Sequence, residues 1–353
     1  MSRTATRVVA EPNLASLEYQ NEKRHRKIDG RTMRVETHTD FEAFVDANRQ
    51  AEHPKSDRRW MAKNNGGGLW KTETLSAGDC MMLRGHCGAE IISEGVAPPH
   101  GYTFYTPKEN NSWINLGEEF GRDALYIWEP GHEYCTASTR AATYHGFFVP
   151  KQIAEVSIKR RSERQRRSYL LHDNLRITET VRYLFQSAIE LVSKNPSAEH
   201  SGAMRMIEAE LKSLLLPLLT RDGGHNTAFN DFDHAHYSSF DYVAMAHRYI
   251  ENMANRPIHV SEISDNLGIS ERTLRRAFNE TYQIGPRTYL FLRQMHKIRN
   301  DLVRAHYKET TVTDILTRWG VWEFGRFSGR YKKHFGEYPL QTLRRPPLLT
   351  RFV

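Results

Sequence analysis

Arg272, Arg275, Arg276 and Asn279 fall at offsets of three, four and seven residues within a segment of helical periodicity. At about 100° per residue those offsets gather them on one outward stripe. A guanidinium presents a planar fork of donors that matches guanine in a major groove and holds a phosphate equally well. Elsewhere such a stripe is only a solvated face, so the element that carries it decides the reading.

That element is legible. Before the stripe, a helical pattern from about Phe240 to Met253 is succeeded by a short helix beginning at Val260, with Ile263 and Leu267 facing inward. Gly268 and Ile269 make a tight turn, Ser270 caps a second helix, and Leu274, Ala277 and Phe278 form the apolar side of that helix. This is a helix-turn-helix, with the arginines on its second helix. The pattern then recurs: Ile315 and Trp319 stand 52 residues after Ile263 and Leu267, and Gly320-Val321 stand 52 after Gly268-Ile269. Beyond the turn the offset is 53, pairing Leu274 with Phe327 and Phe278 with Tyr331, so the second turn has one extra residue. Between the copies, Gly285-Pro286 opens a helix from about Arg287 to Ala305. At 1.5 Å per residue it is about 27 Å long, enough to set two recognition helices in major-groove segments about one turn apart.

The second recognition helix differs. A helical wheel places Phe324, Phe327 and Tyr331 inward and leaves Gly325 and Gly329 where the first copy has Arg272 and Arg276. Base contacts are therefore expected from Arg272, Arg275, Arg276, Asn279 and Arg326, and phosphate contacts from Ser270, Arg330, Lys332 and Lys333. On this reading the first copy discriminates bases and the second mainly positions it. The alternative is that the glycines let the helix backbone approach the bases.

Charge supports a polyanionic partner. The 353-residue chain carries a net charge of +8, and between Phe240 and Arg345 there are 18 Lys or Arg against 11 Asp or Glu, so seven of those eight charges lie there. Cys80, Cys87 and Cys135 form no closely spaced pair of the zinc or redox kind and read as reduced thiols. The longest apolar run, Leu214 to Leu219, is interrupted by Pro217 and falls far short of the roughly 20 residues of a membrane span. Residues 1–34 contain no apolar stretch of signal-peptide length, which makes the cytoplasm, at the nucleoid, the expected location.

The expected fold class is multidomain α+β. Residues 1–40 read as a flexible basic arm and 41–150 as a cupin-like antiparallel β domain, with the strand cadence strongest from Leu69 to Val149. Residues 151–221 read as a helical region, with patterns at about Asn174–Lys194 and Gly202–Leu219 that form a hairpin. Two placements of the hairpin stand side by side: packed on the preceding sheet, or paired with a second copy in a homodimer. Residues 222–239 are the expected linker, and 240–345 the all-α domain with two helix-turn-helix units.

The run Ser261-Glu262-Ile263 to Leu267-Gly268-Ile269-Ser270, then Thr273-Leu274-Arg275-Arg276-Ala277-Phe278, Ile284-Gly285-Pro286, Gly325-Arg326-Phe327-Ser328 and Tyr331-Lys332-Lys333-His334-Phe335-Gly336-Glu337-Tyr338-Pro339, resembles the AraC/XylS family of bacterial regulators. Gly285-Pro286 and Trp322-x-Phe324-Gly325-Arg326-Phe327 look most like the branch containing ethanolamine-operon regulators. The resemblance covers about a third of the chain. It implies a bipartite DNA-binding domain of seven helices, an N-terminal domain that senses a small-molecule effector or dimerises, and activation through RNA polymerase beside a promoter on double-stranded DNA. Gly329 departs from the family, where many members carry a polar residue, and this puts a base contact there in doubt.

Two other readings are weighed. An effector-independent DNA-binding regulator controlled by its abundance fits the same motifs. A cupin-type metalloenzyme fused to a DNA-binding domain requires several His or carboxylate ligands to converge, whereas the histidines at 86, 100, 132 and 145 are scattered singly. No catalytic residue, metal ligand or cofactor is therefore expected, and Asp231-Phe232-Asp233-His234-Ala235-His236 reads as solvated linker. His86, His100, Trp113, Tyr126, Trp128, Glu133 and His145 are available to line an effector pocket, with none singled out.

Overall fold

Short aromatic-rich segments separated by Gly and Pro turns pair into two antiparallel sheets. The computed structural model describes residues 33–38, 41–52, 58–64, 68–110, 112–115, 118–157, 169–195, 201–220, 238–253 and 256–345. In chain order the N-terminal elements are β1 (Met33–His38), α1 (Phe41–Glu52), β2 (Arg58–Ala62), β3 (Trp70–Ala77), β4 (Cys80–Cys87), β5 (Ile91–Val96), β6 (Gly101–Pro107), β7 (Trp113–Asn115), β8 (Glu118–Phe120), β9 (Leu125–Trp128), β10 (Glu133–Ser138), β11 (Ala142–Pro150), α2 (Lys151–Ser157) and β12 (Tyr169–Leu171). One sheet has seven strands in the order β1-β3-β4-β11-β6-β9-β12, and the other has five in the order β2-β5-β10-β7-β8.

The arm expected over 1–40 must be shortened. Met33–His38 pairs with β3 from Met33↔Leu75 to His38↔Trp70, because this short segment finds the open edge of β3; residues 1–32 lie outside the described residues. The strands likewise extend beyond 69–149, with β2 before that span and β12 after it.

Alternation along the strands gives the domain two apolar interiors. Between the sheets, Trp60, Trp70, Tyr105, Trp113, Trp128 and Tyr144 form an aromatic core, with Trp128 stacked on Tyr134 at 3.7 Å between ring centroids. On the outer side of the seven-stranded sheet, Leu75, Met82, Phe147 and Phe104 stand in register across four strands. They are covered by the hairpin α3 (Leu175–Lys194) and α4 (Gly202–Leu215), through Val181, Phe185, Ala188, Leu211 and Leu215. The hairpin thus packs on the sheet, and each fully buried leucine or phenylalanine contributes about 1.5–3 kcal/mol.

Among the described residues seven more helices complete the chain: α5 (Ser239–Asn252), α6 (Val260–Leu267), α7 (Glu271–Tyr282), α8 (Pro286–Arg304), α9 (Val312–Arg318), α10 (Phe324–Phe335) and α11 (Pro339–Arg344). Two small cores flank α8. Val243, Ile250, Ile263, Leu274 and Phe278 build the first, and Met295, Ile298, Leu302, Ile315, Phe327 and Tyr331 build the second. The first core continues into Met61, Ile92, Cys135 and Ala137 on the outer face of the five-stranded sheet, so the sandwich docks directly on the first unit. Most of the expected linker, 222–237, with Asp231 to His236 in it, lies outside the described residues, as does the basic stretch 159–167. The chain is a multidomain α+β protein: an antiparallel β domain with a helical hairpin, then an all-α domain with two helix-turn-helix units.

Candidate nucleic-acid interface

The turn of the first unit is fixed by backbone chemistry. Gly268 adopts φ +64°, a left-handed conformation that costs a residue with a Cβ roughly 1–2 kcal/mol. Ser270 then caps α7 by accepting the Thr273 N–H at 3.0 Å. Its oxygen takes this bond and lies 2.9 Å from the Thr273 hydroxyl, while the residue remains exposed at the helix N-terminus with an O–H that can donate. With Leu274, Ala277 and Phe278 buried, Arg272, Arg275, Arg276 and Asn279 are all exposed even with the sandwich docked. Arg276 is loosely tethered to Glu280 at 3.8 Å and keeps 68% of its side chain exposed. The structure therefore brings the four together on one face.

The second unit repeats the device. Thr311 and Asp314 form a reciprocal capping box at the start of α9, and Gly320 turns the chain at φ +68°. Cβ atoms built at Gly325 and Gly329 meet nothing within 4 Å, so the front of α10 is bare. Arg326 lies beside it, 3.2 Å from Glu323. Arg330 is drawn aside, its guanidinium 3.4 Å from the centroid of the Phe291 ring on α8, and Lys332 sits over Tyr338 at 4.4 Å. Lys333 is exposed without such a tether among the described contacts.

Phe324 corrects the helical wheel. The wheel turns it inward, but it opens the first turn of α10 at the edge of the second core and is 36% exposed. Trp322, read from the sequence only as part of a family-like run, is 72% exposed in the lengthened turn; the added residue is the signal that could have pointed to its exposure. Also missed is a cleft of about 620 Å³ between the two units, beside α8, with Arg256, Arg275, Arg287, Arg293 and Lys297 in its wall. Its cations come from separate segments, so no single run announces it.

A buried polar joint ties this domain to the sandwich. Glu94 on β5, 0% exposed, accepts from the Tyr289 hydroxyl at 2.6 Å, the Tyr282 hydroxyl at 2.7 Å and Arg59 Nε at 3.0 Å, with His247 Nε2 at 3.2 Å. Burial pushes its carboxyl pKa up, but His247, Arg59 and the two hydroxyls outweigh this and hold it at about 2. His247 is pushed down to about 4 by burial, against the pull of the Glu94 carboxylate. Arg59 also reaches Glu251, which pairs in turn with Arg293.

The residues available for an effector pocket separate. Trp113, Tyr126 and Trp128 line a cavity between the sheets of only about 30 Å³, room for one water. His86 and His145 lie instead on the outer face of the seven-stranded sheet. His100 and Glu133 are exposed. Among the described residues, no three His, Cys, Asp or Glu side chains gather as metal ligands would.

Residues 263–345, which contain both recognition helices, match a family model described as a helix-turn-helix domain. The C-terminal domain is an AraC-type helix-turn-helix domain. The chain is 38% identical over 105 residues to a probable thc operon regulatory protein of Rhodococcus erythropolis, a stretch covering 30% of this chain and 32% of that protein. It is 27% identical over 148 residues to a XylDLEGF operon transcriptional activator of Pseudomonas putida, covering 42% and 44%. The chain thus spans less than half the length of these curated relatives. Among solved structures, the AraC-like transcriptional activator CuxR aligns over 76% of this chain and 96% of its own, at 15% identity and a TM-score of 0.38. Within the AraC-type domain, the matched span leaves α5 outside, although Val243 and Ile250 help close the first core.

Proposed function

We propose that the chain is a sequence-specific DNA-binding regulator that activates an operon, beside RNA polymerase and under the control of a small-molecule effector. The observation that carries this is the exposed arginine stripe of α7, presented by a capped and packed helix while the rest of the chain is in place. In this reading Arg272, Arg275, Arg276 and Asn279 read base edges and Arg326 contributes from the second unit. Ser270, Arg330, Lys332 and Lys333 hold phosphates. The cationic cleft receives the backbone where it passes between the two groove segments. The reading includes no catalytic step and places the protein at the nucleoid.

The domain limits in this proposal are 33–150 together with β12 for the sensor, preceded by a shortened arm, 151–221 for the hairpin region and 240–345 for the DNA-binding domain. A homodimer through the hairpin belongs to it as well, since Tyr183 and Met206 stay 71% and 74% exposed on α3 and α4. Sedimentation of the full chain measures that association. The effector-independent alternative is favoured by one observation, the nearly filled interior of the sandwich.

Selection of duplexes from a random pool by the full chain at moderate ionic strength tests the central claim. The expected result is a motif with two half-sites about 10 base pairs apart. Binding to random competitor as tight as to any selected duplex would overturn it. Repeating the binding with and without cell metabolites separates the effector-controlled regulator from the abundance-controlled one.

A further inference from the structure

The outer face of the seven-stranded sheet changes character along its strands. Beyond the apolar row under the hairpin, the next same-face row reads Glu73, Arg84, His145, Thr106 across β3, β4, β11 and β6, and the row after it reads Lys71, His86, Thr143. Lys108 comes directly after Pro107 at the end of β6, its N–H bonded to Thr143 O at 2.8 Å. Helix α3 crosses only the edge of these rows, where it contributes Arg182 and Gln186. The result is an open groove of about 410 Å³.

Charge in this groove is unbalanced. Lys71, Arg84, Lys108 and Arg182 line it against a single lining carboxylate, Glu73, which is already paired to Arg84 and, at 3.0 Å, to Lys71. Arg182 has no carboxylate among its hydrogen-bond partners. Its guanidinium donates to the carbonyls of Pro107 and Arg122 at 2.9 and 3.0 Å and to the Thr106 and Thr178 hydroxyls at 3.0 and 3.3 Å. Glu109, nearby, accepts the Thr143 N–H at 2.9 Å and keeps its charge, and with Glu179 and Asp123 it partly offsets Arg182. This leaves Lys108, and Lys71 which shares Glu73 with Arg84, as the least compensated cations at the rim. At the centre sits His145, 5% exposed, with its Nδ1 buried and without a hydrogen-bond partner. Burial is the main cause that pushes its pKa down to about 3, and the cations Arg84, Arg182 and Lys108 around it act in the same direction. An anion seated here would accept from His145 in the tautomer that carries its proton on Nδ1, and would compensate the surplus cations.

We propose that this groove binds a small anion bearing carboxylate or phosphate groups, held by His145, Lys108 and Arg84 and framed by Arg182. The interior of the sandwich is too full for such a ligand, so the groove is the effector site of the regulator proposed above. The effector role rests on that reading; the binding itself does not.

Calorimetry and thermal shift on the full chain, without DNA and at ionic strength matched with chloride, use inorganic phosphate, pyrophosphate, acetate, succinate and citrate as probes. The expected result is saturable one-to-one binding of at least one probe with a raised melting temperature, and the phosphate and carboxylate arms identify the head group. Lys108→Glu, at an exposed rim position, should weaken that binding at least tenfold and leave the melting temperature of the free chain unchanged. Lys194→Glu, on the far end of α3, should leave the binding as it is. Absence of saturable binding by every probe, or equal binding by Lys108→Glu, overturns the site. An anion that saturates the groove without changing affinity for a selected operator overturns the effector role alone, whereas failure to select any operator strikes the DNA-binding reading and leaves the site standing.

Discussion

Replacing Glu94 with glutamine keeps the shape of the interdomain joint and removes its charge. In the wild type one carboxylate oxygen takes Arg59 Nε and the Tyr289 hydroxyl, while the other takes the Tyr282 hydroxyl and faces His247 Nε2. Glutamine retains one acceptor oxygen but turns an amide N–H₂ toward groups that donate, and it leaves Arg59 with only Glu251 for an anionic partner. Breaking a buried charge cluster from one side costs about 3–5 kcal/mol. The carboxyl also titrates at about 2 in the folded chain, below the ordinary 4.5, which makes the joint sensitive to acid. The sign comes from linkage: a depressed folded pKa means stability fully present above pH 4.5 and lost as pH falls toward 2. Urea denaturation of wild type and Glu94→Gln across pH should therefore show a gap of about 3–5 kcal/mol at pH 7 that narrows below pH 4.5. A gap under about 0.5 kcal/mol at pH 7, or one that does not narrow in acid, would refute the account of the joint.

Arg272→Ala or Arg276→Ala should each flatten base preference at one or two operator positions by about 1–3 kcal/mol, read by competition with single-base operator variants. Lys333→Ala should weaken all sequences alike and lower the salt slope by about one; equal loss of discrimination from both classes would sink the division of labour. Gly320→Ala places a Cβ 2.5 Å from Pro257 Cγ at φ +68° and should lower the melting temperature, while Gly329→Ala, with open space around it in the middle of α10, should raise stability by about 0.5–1 kcal/mol. If Gly329→Ala also loses operator affinity despite that gain, the bare helix face is used for close approach. Burial is the main cause that holds His145 and His296 down at about 3 and His247 and His334 at about 4. The unfolded chain protonates them near 6.5, so stability should fall as pH drops from 6.5 toward 4, at about 1.4 kcal/mol per pH unit for each; a flat profile between pH 7 and 5 would contradict their burial.

What was legible in the sequence was local. The turn glycines, Ser270 and the 52-residue repeat specify both helix-turn-helix units because caps, φ > 0 positions and apolar periodicity act within a few residues. The joint around Glu94 was not legible, since its tyrosine partners are 188 and 195 residues away. The same holds for the row that sets Arg84 beside His145: each residue taken singly looks ordinary, and only strand register brings them together. Phe324 shows the opposite failure, a wheel position that was right in angle but wrong in depth, because a helix's first turn can overhang its core.

The sandwich meets α7 at Tyr282, the last residue of the helix, on its core side, while Arg272 and Arg276 remain exposed toward its start. The sandwich is thus seated on the first unit without covering the arginine face of α7. The rod of nineteen residues is gripped as well: His296 Nε2 lies 3.0 Å from the Ala62 carbonyl, Arg299 pairs with Glu42 at 2.7 Å and Arg304 with Asp46 at 3.8 Å, so a shift of the sandwich is felt at both ends of α8 and by both units together.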